Sequence, residues 1–407
     1  MNTAANNNMV LAGWALIIIY AIIILFFVIR GAKRTKNIKD YAVGNIKFSP
    51  VSVGLALAAS MTSAATFIIN PGFVALYGFS AFLSYAIVLP IAAMVSLVIL
   101  TKSFRKHGSS VQALTLAQWV ETKYKSKSLG LFFGVLSILL LTFIVLIVVG
   151  LTKVISKTLD VDEFYALLGV VIFIFGYMMF GGANSMVFTN TIQALLMIFV
   201  AFILLGSGYQ HFSNGVHGFI EKLSAIDPKL VGLTNSSSFL FRDFFEIVVV
   251  QIVIGVAIIC QPHIITKSLL LKTDKDVNKY LKVGVAVELL FFLVVFAGFY
   301  ARLAFPDLIY NGTKLKMDGI IPAYVVSEFP VFIGLIIIMG LLSAGISTLE
   351  GLIQSVSSSL TTDVILPVMR KAKPDFKVNS IIINRIIIIA LAILTIIISY
   401  DQLVNPK

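Results

Sequence analysis

An all-helical protein that crosses a lipid bilayer many times is the fold class this sequence predicts, on three observations. Of its 407 residues, 59% are hydrophobic and only 12% charged, and the mean hydropathy is +1.00. That composition lies far from a water-soluble domain. Apolar runs of about 20 residues recur along the whole length, each enough to span a ~30 Å hydrocarbon core. The basic residues gather in the short connections between those runs. Despite a formal net charge of +12, this is the pattern of membrane topology and not of a nucleic-acid surface. The lipid bilayer is therefore the expected partner, and nucleic acid is not.

The first apolar run, near 10–30, reads as an outlying helix. The preceding MNTAANNN has no basic residue and the run is long, so no cleavable signal peptide is expected. Nine further spans follow near 51–77, 80–101, 129–152, 163–180, 187–208, 243–266, 280–304, 331–361 and 380–400. Of the 31 basic residues, 22 fall in the connections Arg30 to Lys47, Lys102 to Lys127, Lys267 to Lys282 and Arg370 to Arg385, and 9 on the opposite side. The positive-inside rule puts the first group in the cytoplasm and the N-terminus outside, in a multi-pass protein of the cell membrane. Two external connections, Gln210 to Arg242 and Phe305 to Pro330, are long enough for short surface helices over the outer mouth, or are plain connectors. The single cysteine, Cys260, excludes an internal disulfide and any cysteine-based metal cluster.

The second span is the unusual one. Leu55 to Gly78 can cross a bilayer, but Ser60, Thr62, Ser63 and Thr66 crowd its middle and Asn70-Pro71-Gly72 follow. Proline lacks an amide donor and biases Asn70 away from helical geometry. Backbone groups freed within a membrane need partners in protein, water or a bound ion. A broken helix at mid-depth is thus a candidate site for a small cation or solute; a proline kink repaired by the hydroxyls is the competing explanation.

Three more polar stretches interrupt the hydrocarbon pattern. In 331–361, Ser343, Ser347, Ser355, Ser358, Ser359 and Thr362, with Thr348 and Gly351, form a small, hydroxyl-rich stripe at helical spacing. Small residues serve tight packing of membrane helices, but seven hydroxyls and a carboxylate exceed what packing needs. Glu350 sits at mid-span there, where an ionisable group faces a cavity or a partner. Glu288 lies nearer the inner end of its own span, where solvation accounts for it. In 254–268, Gln261-Pro262-His263 interrupts a second span, and His263 reads as a hydrogen-bonded structural histidine. In 180–193, Gly181-Gly182 reads as a tight turn into a helix carrying Asn190 and Gln193. No nucleotide-binding glycine loop, HExxH or GxSxG is present, so no enzyme activity and no ATP drive are expected.

These stretches together resemble the sodium/solute symporter family, whose members include sodium-coupled proline, pantothenate, sugar, sialic acid and monocarboxylate carriers. The matching strings are Ala59-Ser60-Met61-Thr62-Ser63 followed by Pro71-Gly72; Ala344-Gly345-Ile346-Ser347-Thr348 with a later Asp363; Gly181-Gly182 with Thr189 and Gln193; and Gln261-Pro262-His263. The resemblance covers nearly the whole chain. It implies a 5+5 inverted repeat preceded by one extra helix, the broken spans being the first helix of each repeat. The expected division is 1–48 for the external N-terminus, extra helix and basic loop, 49–210 for the first repeat, 211–242 for an external loop, and 243–407 for the second repeat with four of its five helices. The last core helix is missing by this count, and a C-terminally truncated chain is expected.

The resemblance also implies Na+ as coupling ion. It assigns the ion to the carbonyls of Ala59, Thr62 and Ala344 and the hydroxyls of Ser347 and Thr348, with a small organic solute beside it near Thr66, Asn70 and Gln261. The family's TD dipeptide is Thr189-Asn190 here, so the carboxylate on the inward ion path is replaced by an amide; Asn190 and Glu350 are the candidates for that path. The function implied is sodium-coupled symport by alternating access. A sodium-binding channel or sensor of the same architecture, or an inactive fragment of a symporter, are the alternatives. The sequence does not name the solute.

Overall fold

In the computed structural model, residues 3–111, 113–372 and 379–405 are described; Lys373, Lys377 and Lys407, counted above for topology, lie outside them. Among the described residues, eight helices are long and apolar enough to cross a membrane, and two bent pairs bring the spans to ten. In chain order they are α1 (Val10–Ala32), the pair α2 (Pro50–Met61) and α3 (Ala64–Tyr77), α4 (Phe79–His107), α5 (Lys127–Leu159), α6 (Glu163–Gly181), α7 (Ala183–Phe212), the pair α8 (Phe245–Ile259) and α9 (Pro262–Leu270), α10 (Asp274–Ala304), α11 (Val331–Lys371) and α12 (Ser380–Val404). The first pair bends by 74° and the second by 60°. The bends stand five spans apart, as the first helices of two five-helix repeats must.

Burial separates the scaffold from the centre. Only 22% of the α1 window and 28% of the α12 window are buried, against 67% for α11. So α11 is the central post, and α1 and α12 are peripheral. One large apolar cluster takes Ile337, Leu341 and Ala344 from one side of α11, and a second takes Leu342, Ile346 and Leu349 from the other. Close helix approach depends on small residues. A Cβ at Gly54 of α2 would lie 2.8 Å from the Tyr280 carbonyl of α10, and one at Gly284 2.9 Å from Leu57. The two helices therefore pack almost backbone to backbone.

The basic connections meet one another at one end. Arg105 donates to the carbonyls of Ser268 and Leu271 at 2.7 and 2.6 Å, and the Thr115 hydroxyl donates to Asp363 at 2.8 Å. The opposite end is sealed by both long connections, each of which carries a short helix, Gly215–Ile226 and Met317–Glu328. The second also forms a small antiparallel hairpin, Ile309–Tyr310 with Thr313–Lys314. Gly78, with φ +65°, lies so close to Leu230 that a Cβ would stand 1.9 Å from its carbonyl. Gly181-Gly182 makes the expected turn: Gly182 has φ +55°, and a Cβ there would meet the Tyr41 carbonyl at 2.7 Å.

Two sequence expectations are corrected here. Asn70 and Pro71 do not break the first bent span; both lie within the helix Ile69–Tyr77. Pro71 occupies its first turn, where a missing amide leaves no hydrogen bond unmade. Lys267 is not in a loop. It is 2% exposed, within α9, the second half of the second broken span.

Candidate functional site

The first break consists of Thr62 and Ser63, both extended, at φ −91°, ψ 110° and φ −97°, ψ 173°. Ser63 is the N-cap of α3, its side chain accepting from the Ala65 amide, the usual role of serine at that position. The end of α2 leaves its last carbonyls without intrahelical amides. They turn to α11. The Ser347 hydroxyl lies 2.7 Å from the Ala59 carbonyl and 3.0 Å from that of Ala344. The Thr348 hydroxyl lies 3.0 Å from the Ala344 carbonyl, 3.2 Å from Thr62 and 3.5 Å from Ser60.

Thus the structure brings Ala59, Thr62, Ala344, Ser347 and Thr348 together and adds Ser60. All six are buried. Two hydroxyl protons face four carbonyl oxygens, so acceptors outnumber donors. Each hydroxyl donates one proton at a time and keeps lone pairs of its own. A knot of neutral oxygens short of protons suits a hard monovalent cation, which takes oxygen ligands. It also holds that cation without a fixed charge, which permits release. Ser60 is absent from the ligand set expected from the sequence although it lies inside the motif. Its hydroxyl accepts from the Asn190 amide at 2.9 Å, which ties α7 to the same break and leaves the other end of that amide, Oδ1, unpartnered among the described residues.

Glu350 is fully buried on α11. Its carboxylate accepts from Tyr177 at 2.5 Å, Thr189 at 2.6 Å and Gln193 at 3.3 Å. Gln193 also donates to Tyr20, which accepts from Ser343 as well. A carboxylate buried without a salt bridge is tolerable when several donors meet it. Glu350 thus faces the protein interior and meets partners on α6 and α7.

Glu288 does not lie in solvent, contrary to expectation. It is 1% exposed, and the Thr62 hydroxyl donates to it from the break, at 3.2 and 3.3 Å from its two oxygens. The helix α10 begins at Asp274, ahead of the span read from the sequence, and this length moves Glu288 toward mid-span. His263 also departs from its reading, since its Nδ1 has no hydrogen-bond partner among the described residues. It packs instead against Gly351, where a Cβ would stand 3.3 Å from its ring. A small cavity toward the basic end is lined by Thr115, His263, Thr266, Gln354, Ser355 and Ser358, among others.

The proposed solute residues are less cohesive. Thr66 is buried, Asn70 and Gln261 half-buried, and no hydrogen bond among the described residues joins the three. Gln261 forms the second break, with φ −64° and ψ 134°, ahead of Pro262 at the start of α9. Phe67, beside Thr66, is pinned to Phe291 of α10, ring centroids 5.7 Å apart.

The chain is similar to known proteins along most of its length. The family model described as the sodium:solute symporter family matches residues 41–405. The sodium/pantothenate symporter of Haemophilus influenzae is 29% identical over 376 residues, covering 89% of this chain and 74% of its own length. The sodium/pantothenate symporter of Escherichia coli is 26% identical, covering 86% and 70%. A solved Na+-coupled sialic acid symporter in a substrate-bound outward-open state superposes with a TM-score of 0.79 over 97% of this chain and 83% of that one. At 17% identity, that likeness shows a shared fold.

Proposed function

The chain belongs to the sodium:solute symporter family, and we propose how its broken spans serve the sodium-coupled symport of a small organic solute that this membership entails. Sodium is the coupling ion. It is carried, in this reading, between the carbonyls of Ala59, Ser60, Thr62 and Ala344 and the hydroxyls of Ser347 and Thr348. The surplus of acceptors over hydroxyl protons at that junction is the observation that supports the assignment. The ion's charge draws the free end of α2 onto α11, and its departure leaves the two-residue link Thr62-Ser63 to absorb the swing of α3. A few terminal residues that take up the dihedral change are what a hinge consists of.

The solute we propose is a pantothenate-like organic anion. Two relatives whose names specify pantothenate support it. So does Lys267, a buried ammonium without a hydrogen-bond partner among the described residues, on the inner half of the second broken span. A solute carboxylate would relieve its isolation. Thr66, Asn70 and Gln261 are proposed to line the solute path between the breaks, and Asn190 and Glu350 the inward path of the ion. The orientation proposed has the basic end in the cytoplasm, the N-terminus outside, and the protein in the cell membrane. The repeats are taken as 49–210 and 243–407.

Proteoliposomes holding the full chain test the solute class. Labelled pantothenate should accumulate when sodium is outside and fail to do so when potassium replaces it. Uptake of proline in place of pantothenate would replace the solute and keep the symporter. A sodium current that flows with no solute present would make the protein a channel.

A further inference from the structure

We propose that the lipid-facing side of α1, at its basic end, binds an anionic glycerophospholipid, with Phe26 and Ile29 against an acyl chain and Arg30, Lys33 and Arg34 around the phosphate. The site lies apart from the broken spans and goes beyond the symport reading.

Phe26, Ile29, Arg30, Lys33 and Arg34 follow one another at i, i+3, i+4, i+7 and i+8, which puts them on one face of a helix. The Lys33 amide still donates to the Ile29 carbonyl and the Arg34 amide to that of Gly31, so the winding continues through the last two. The five line an open cleft of about 400 Å³, within the roughly 300–1,000 Å³ of ordinary ligand sites. All five are exposed, and the apolar face runs on toward the N-terminus through Ile22, Ile19 and Ile18. Within one turn the face changes from hydrocarbon to cation. A phospholipid lying along the helix has the same profile, with its chains in the apolar layer and its phosphate at the boundary.

The charge at the cleft is uncompensated. No acidic residue lines it, and no ion pair among the described residues reaches Arg30, Lys33 or Arg34. The one acid between residues 30 and 47, Asp40, is buried and accepts from the Lys36 amide. Like charges three and four residues apart repel, and a phosphate among them removes the repulsion. A second copy of this chain docked through the same face would set cation against cation. A soluble anion would leave Phe26 and Ile29 uncovered. A lipid answers both halves of the face.

The backbone that carries the three cations is fixed. The Phe26 ring meets Phe27 edge-on at 5.2 Å, and Phe27 stacks on Phe188 of α7 at 6.0 Å. A Cβ at Gly31 would stand 2.7 Å from the Ser185 amide nitrogen. The Thr35 hydroxyl lies 3.0 Å from the Gly181 carbonyl and accepts from Asn184 at 3.1 Å. Asn45 donates to the Arg34 carbonyl at 2.7 Å. The inward side of this segment is thus held against the turn between α6 and α7, which leaves the cationic side facing out.

Brominated lipids, which quench a tryptophan they touch, test the site on the full chain in mixed bilayers. The Phe26→Trp variant places an indole in the cleft, and the signal of the parent chain, from Trp14 and Trp119, is subtracted. Brominated phosphatidylglycerol should reach half-maximal quenching at a mole fraction at least about fivefold below that of brominated phosphatidylcholine. Adding Arg30→Gln, Lys33→Gln and Arg34→Gln should remove the difference, whereas Lys275→Gln, Lys279→Gln and Lys282→Gln in their place should keep it. Phe202→Trp, at an exposed position toward the far end of α7, should show no preference. Equal quenching by the two lipids in Phe26→Trp overturns the proposal. So does a preference that survives the loss of Arg30, Lys33 and Arg34, or one of equal size in Phe202→Trp. A preference abolished by inorganic phosphate, and not by chloride at the same ionic strength, assigns the cleft to a free anion and overturns the lipid. Should the variant lacking all three cations fail to fold, the comparison of Phe26→Trp with Phe202→Trp still decides.

Discussion

Removing the Thr348 hydroxyl is the most direct probe of the junction between α2 and α11. That oxygen lies 3.0 Å from the Ala344 carbonyl, 3.2 Å from Thr62 and 3.5 Å from Ser60, so Thr348→Ala removes one ligand and one of the links between the two walls. The Ala344 carbonyl keeps the Ser347 hydroxyl at 3.0 Å, and the methyl replaces a group that is 7% exposed. The fold should therefore survive. A lost ligand at an ion site compares with a lost hydrogen bond to a charged group, about 1.5–3 kcal/mol, or roughly ten- to a hundredfold in affinity. In proteoliposomes, Thr348→Ala should raise the sodium concentration for half-maximal uptake by at least about tenfold, and saturating sodium should restore much of the rate. Ser347→Ala should behave alike, because its hydroxyl makes the 2.7 Å approach to Ala59. Ser355→Ala, two turns along the same helix and on the cavity wall, should leave sodium dependence unchanged. Unchanged sodium dependence in both Ser347→Ala and Thr348→Ala would refute the site.

Three further outcomes are expected. Glu350→Gln puts a donor where the Tyr177, Thr189 and Gln193 side chains already donate, and should weaken apparent sodium affinity and alter the pH dependence of uptake; if neither moves, Glu350 only supports the fold. In a Cys260→Ser background, cysteines at Lys39, Lys125 and Lys275 should be shielded from an impermeant thiol reagent in intact cells, while those at Asn235 and Lys314 react; labelling at Lys125 from outside reverses the orientation. Gly78→Ala should lower the thermal unfolding midpoint, since φ +65° and the Leu230 carbonyl both oppose a Cβ and strained backbone of this kind costs about 1–3 kcal/mol; an unshifted midpoint shows that the contact with Leu230 yields freely.

Much of the protein was legible before any fold was known, and for a physical reason. Transfer of a side chain between water and hydrocarbon is a local property, so the ten spans and the lysine-rich connections can be read residue by residue. The hydroxyl stripe of α11 and the weak point at Ser60 to Ser63 follow from helical spacing and from the need of membrane backbone for partners. The pairing of those two stretches, 286–288 residues apart along the chain, came from resemblance to a family and not from local pattern. Tertiary structure alone decided the rest. It kept Asn70 and Pro71 inside a helix, because Pro71 fits the first turn of Ile69–Tyr77 without losing a bond. It drew Lys267 from an apparent loop into the interior. It distinguished Glu350, met by donors from two other helices, from Glu288, met by one hydroxyl 226 residues away. Periodicity tells which face of a helix a residue occupies. What stands opposite that face is decided only when helices distant in sequence pack, and the chemistry of a buried charge depends on that opposite group.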